Sequence, residues 1–139
     1  MPEPIKMDSV FVDLATRFQS TQTVGASPTD STEKIIGTLT IANFNDIAVT
    51  RGIRLHGWAA FTVGTNGVSV NLQIKQTDAS GSVIAASGAV TATAANLGTL
   101  SVVGLDATPG IAKYVLTMTV ASASAGSTVS ALHLGAIII

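Results

Sequence analysis

The chain has 139 residues, enough for one domain that buries roughly two-thirds of its unfolded surface. Only 11% of the residues are charged, against about 25% in an ordinary soluble domain, and the net charge is −1. The basic residues form no cluster suited to nucleic acid or to an anionic membrane, and the absence of cysteine excludes disulfides and thiolate chemistry.

The charges are also unevenly spread: beyond Leu55 only Lys75, Asp78, Asp106 and Lys113 remain. The rest of the exterior has to be made of Ser, Thr, Ala, Gly and Val. A near-neutral chain with such a surface is poorly suited to life as a free monomer, so neighbouring subunits are expected to cover part of it.

The opening MPEPIKMDSV lacks the apolar core of a secretory signal. In VFVDLATRF, Val10, Leu14 and Phe18 recur at i, i+4 and i+8, compatible with a short helix or an extended arm. Residues 1–20 are therefore assigned to an N-terminal arm carrying Val10, Phe11, Leu14 and Phe18, and residues 21–139 to the folded domain. The polar run 19–32 is expected to be a linking loop. EKIIGTLTI at 33–41 predicts a strand, and ANFNDIAVT a loop after it.

From Ile53 to Val63 and again from Val68 to Lys75, apolar and polar residues alternate with the period of two of a half-buried strand. Gly64-Thr65-Asn66-Gly67 between them predicts a hairpin, because a type I′ turn needs positive φ at both central residues. Asp78-Ala79-Ser80-Gly81 predicts the next turn. Strands follow at 82–87, with 89–95 extending it or bridging onward, and then at 97–103, 111–121 and 127–138. In the last, Leu132, Leu134 and Ile138 are expected on one face, and Val129, Ala131 and Ile137 on the other. The tail LHLGAIII is too short to span a bilayer. Seven or eight strands with turn residues between them indicate an all-β, antiparallel, jelly-roll-like β-sandwich.

Chemistry-bearing groups are scarce. His56 and His133 are the only histidines, each mid-strand on the face opposite the expected core; they could meet across a sheet, but no third metal ligand lies near them in sequence. There is no Gly-x-Ser-x-Gly elbow, no phosphate-cradling glycine loop and no calcium loop. Carboxylates for acid–base work would come from Asp30, Glu33, Asp46, Asp78 or Asp106, and turn chemistry already accounts for Asp78 and Asp106. Asp46, Arg51 and Arg54 suit a small ion-pair cluster. With one Trp and one Tyr, the chain is poor in the aromatic platforms of sugar-binding modules; Trp58 belongs either to the core or to a contact. No residue is assigned a catalytic, cofactor-binding or metal-ligating role, and no cofactor is expected.

The runs GWAAFTVGTNGVSVNLQIKQTDASGSVIAASGAV and YVLTMTVASASAGSTVSALHL resemble small all-β proteins of tailed-phage structural regions, the capsid decoration (cement) proteins among them. The resemblance spans about residues 33–136. It implies a β-sandwich, often trimeric, seated on a capsid or tail surface, and carries no catalytic residues. The resulting expectation is a non-enzymatic virion protein that self-associates and binds the major capsid protein or another virion protein. The alternatives are a tail, baseplate or fibre part, or a glycan-binding module. The contact surface is expected to include Val10, Phe11, Leu14, Phe18, Trp58, Leu132, Leu134, Ile137, Ile138 and Ile139.

Overall fold

The computed structural model describes residues 19–25, 27–28, 32–42, 52–64, 67–94, 96–108, 113–121 and 127–138, with the backbone alone at 19–24, 42 and 138. Among them are nine strands and no helix: β1 Gln19–Val24, β2 Lys34–Ala42, β3 Ile53–Val63, β4 Val68–Gln76, β5 Val83–Ala86, β6 Val90–Ala92, β7 Gly98–Asp106, β8 Lys113–Ala121 and β9 Ser127–Ile138. All pairings are antiparallel. One sheet runs β1-β2-β8-β4-β5 with β6 also on β4, and the other runs β7-β3-β9. The chain changes sheet between β2 and β3, β3 and β4, β6 and β7, β7 and β8, and β8 and β9, in the manner of a jelly roll.

The core lies between the sheets, where the period of two sends alternate side chains inward. Ile53, Leu55, Ala59, Phe61 and Val63 of β3 meet Val68, Val70, Leu72 and Ile74 of β4 and Tyr114, Leu116, Met118 and Val120 of β8. Ile36, Leu39 and Ile41 close it from β2, Val102 from β7 and Leu134 from β9. Burying each of the larger aliphatic side chains contributes on the order of 1.5–3 kcal/mol.

Three expectations are corrected. The Gly64–Gly67 turn does not close a hairpin, because β3 and β4 belong to different sheets. Gly67 does take a positive φ of 75°, but its N–H donates to Ala92 O on β6 rather than across to β3. Residues 19–24 are a strand, not part of a polar loop: β1 pairs with β2 from Gln19↔Ala42 to Val24↔Gly37, so the sheet begins inside the segment assigned to the arm. Finally, the β3–β9 register slips between Ala60 and Phe61, and beyond this bulge Val129 packs on the core alongside Leu132 instead of facing away from it.

The run after Ser87 continues the line of β5 as a separate strand. β5 and β6 lie end to end along β4, with Gly88 at positive φ between them, and Ser87 exchanges hydrogen bonds with the Leu72 backbone at the break. The Asp78 turn forms as expected, Asp78 Oδ1 accepting from both the amide and the hydroxyl of Ser80.

Candidate functional site

The three-stranded sheet has an unusual outer face. Its register sets three rows of outward side chains across β7, β3 and β9: Leu105–Arg54–Ile137, Val103–His56–Gly135 and Ser101–Trp58–His133. Trp58 is 37% exposed, Val103 65%, Leu105 50% and Ile137 53%. Arg54 is the one charged group in these rows. Strands alternate, so each of these residues is pushed outward by an inward neighbour: Trp58 by Gly57 and Ala59, Val103 by Val102, and Leu105 by Asp106.

His56 and His133 meet in the middle of this face. Their Nε2 atoms are 3.1 Å apart, with ring centroids 5.1 Å apart and planes 28° off parallel. Directly opposite His56 stands Gly135, and a Cβ there would come within 2.7 Å of both Nε2 atoms. The two rings close over the backbone because that residue has no side chain. Partial burial, and the neighbouring His133 second, hold His56 below the ordinary imidazole range.

The expected contact residues divide. Trp58 and Ile137 lie on the outer face. Leu134 is 1% exposed and fills the core, out of reach of a contact, and Leu132 packs half-buried against it, because the β9 register turns both inward. Ile138 pairs with Ile53 through its backbone. Val10, Phe11, Leu14, Phe18, Ile139 and the side chain of Ile138 lie outside the described residues, as do Asp30, Asp46 and Arg51. Val103, the most exposed apolar residue of these rows, and Leu105 are absent from the expected set. An alternation of two apolar sets along 97–106 does not show which set faces out.

The remaining polar groups are occupied elsewhere. Asp106 points inward, on the side of the sheet away from the histidines, where Oδ2 accepts from Tyr114 Oη at 2.8 Å and Gln76 Nε2 at 3.0 Å. Its Oδ1 accepts from the Thr108 amide, the local turn bond expected of it. Burial first, and the hydrogen bond to Asp106 second, push the Tyr114 phenol far above its ordinary range. On the larger sheet Glu33 takes Lys75 Nζ at 2.7 Å on one oxygen and the Thr117 hydroxyl at 2.6 Å on the other. A shallow cleft of about 200 Å³ opens between β6 and the start of β7, lined by Val90, Thr91, Asn96, Leu97 and Thr99 above the Phe61 ring. No group of three or more His, Asp or Glu suited to a metal occurs among the described residues.

No protein-family model matches the chain, and no characterised protein sequence matches it. Among solved structures, one described as "CBM4 structure and function" is similar at 13% identity over 90% of this chain and 87% of its own, with a TM-score of 0.47. Another, described as "EclA C-terminal domain; sugar-binding protein", is similar at 16% identity over 85% and 78%, with a TM-score of 0.44. A third, from infectious bursal disease virus Gx strain, is similar at 11% identity over 86% of this chain and 30% of its own, with a TM-score of 0.42.

Proposed function

We propose that the chain is a non-enzymatic structural subunit of a virion that associates with copies of itself, as a trimer, and seats on the capsid surface. A second copy covers the outer face of the β7-β3-β9 sheet, while the major capsid protein or another virion protein takes a different surface. The observation that carries the self-association is the cluster of Trp58, Val103, Leu105 and Ile137 in adjoining rows with Arg54 as the one charge. Apolar residues scattered singly over a surface need no explanation, but a contiguous patch marks a contact. Covering each half-exposed aliphatic side chain is worth about half of the roughly 1.5–3 kcal/mol of full burial. The virion and the trimer rest on the likeness of residues 33–136 to decoration proteins.

Charging the face tests this. Val103→Lys with Ile137→Lys puts two cations on exposed positions, where substitutions change stability by about 0.5 kcal/mol or less. The pair should lower the solution mass measured by sedimentation velocity while leaving the β-sheet circular dichroism intact. An unchanged mass would rule this face out as the contact.

The exposed Trp58 ring, flanked by Ser101 and His133, also favours a second reading, a glycan-binding platform in which the indole stacks on a sugar ring. Glycan-array binding that Trp58→Ala abolishes with no change of mass would favour it over self-association. The exposed Val103, Leu105 and Ile137 on the same face suit a protein partner better.

A further inference from the structure

We propose that His56 and His133 form a bidentate chelating site for a late first-row divalent cation, Cu²⁺, Ni²⁺ or Zn²⁺, on the outer face of the three-stranded sheet. The spacing is the first argument. Imidazole nitrogens bind such ions at about 2.0–2.1 Å, and two of them 3.1 Å apart subtend roughly 95–100° at a shared metal, between the square-planar and tetrahedral angles. The two Nε2 atoms are thus close enough for one ion to bridge them.

The second argument is how firmly the pair is placed. Both histidines stand on paired strands, and the register Trp58↔His133 and His56↔Gly135 fixes them as diagonal neighbours. Preorganisation of this kind removes much of the ordering cost of a two-ligand site. Gly135 is the third argument: any side chain there would collide with both Nε2 atoms, so the bare backbone is what lets the nitrogens meet. The donor chemistry then selects the ion. Two imidazoles with no carboxylate in the rows around them suit Cu²⁺, Ni²⁺ or Zn²⁺ and not Mg²⁺ or Ca²⁺.

Each Nε2 has to present its lone pair to the metal, so a proton carried on Nε2 moves to Nδ1 of the same ring or leaves to solvent when the ion binds. Two ligands leave coordination positions open, filled by water or by a donor from another molecule. The site lies on the face that a second copy is proposed to cover, so in the assembly a donor from that copy takes one of these open positions.

The test uses CuCl₂ with the 139-residue chain, whose two histidines are its only imidazoles. Calorimetric titration should give saturable binding, and the electron paramagnetic resonance spectrum should show coupling to two imidazole nitrogens. His56→Gln and His133→Gln should each weaken binding about tenfold or more, since the second imidazole acts at high effective concentration. Gly135→Ala should weaken it with both histidines kept, which a contribution from elsewhere in the chain would not show. NiCl₂ should raise the thermal midpoint of the parent chain and not of the histidine variants. Equal affinity in the parent and either histidine variant would overturn the proposal, as would no saturable binding up to about 1 mM CuCl₂.

Discussion

Asp106 ties the two sheets together at one end of the sandwich, receiving Tyr114 from β8 and Gln76 from β4 in a setting where an unpaired carboxylate would be costly. Tyr114→Phe should therefore destabilise the fold by about 1–2 kcal/mol in urea unfolding. Tyr114 is the only tyrosine, so its ionisation can be followed directly by ultraviolet difference titration. The folded chain holds the phenol neutral far above its ordinary range. Stability from this group is thus fully present below the unfolded value of about 10 and lost as the pH rises above it. The parent should lose stability in that alkaline window, and Tyr114→Phe should lack that part of the loss. A phenol that titrates near its ordinary value in the folded chain would contradict the assignment. At this scale the outward placing of the histidines was legible from alternation along β3 and β9. The Asp106–Tyr114 bond was not, because its partners lie on strands of different sheets and a turn already gave Asp106 a sufficient role.

The connections between strands show where local signals stop. Asn66-Gly67 predicts a tight turn, but a turn does not choose the neighbours of the strands it joins. The inward rows Phe61–Val63 and Val68–Val70 both belong to the core between the sheets, and burying them on opposite sides of it sends β3 and β4 to different sheets. β1 was illegible for a different reason. QSTQTV has little hydrophobic pattern, and as an edge strand it is joined to β2 by backbone pairing that any sequence can make. The bulge opposite Ala60 and Phe61 likewise shifts Val129 inward without a signal in its own side chain. Because β1 starts at Gln19, the arm hypothesis is tested by removing residues 1–18 and not 1–20. That truncation should weaken assembly while leaving the circular dichroism of the sandwich unchanged. Unaltered assembly would dismiss the arm.

For the whole molecule, the sparse charge and the exposed face belong to one account. The sparse charge was legible in the sequence, and with it the expectation that neighbours cover part of the surface. The outward placing of Trp58 and Ile137 follows from alternation, whereas Leu134 fills the core and Leu132 packs half-buried against it. A sandwich of six strands against three leaves the smaller sheet with one core face and one outward face, and it is the outward face that holds the exposed Trp, Val, Leu and Ile. A standard interface buries roughly 800 Å² per partner, so a trimer would draw on the margins of the sheet as well as on these rows. Self-association is most directly tested by the solution mass of the native chain from light scattering over a dilution series in the micromolar range. The account predicts a mass near three times the 14.0 kDa of one chain; a dimer would keep self-association and remove the trimer. A well-behaved 14.0 kDa particle at every concentration would contradict it.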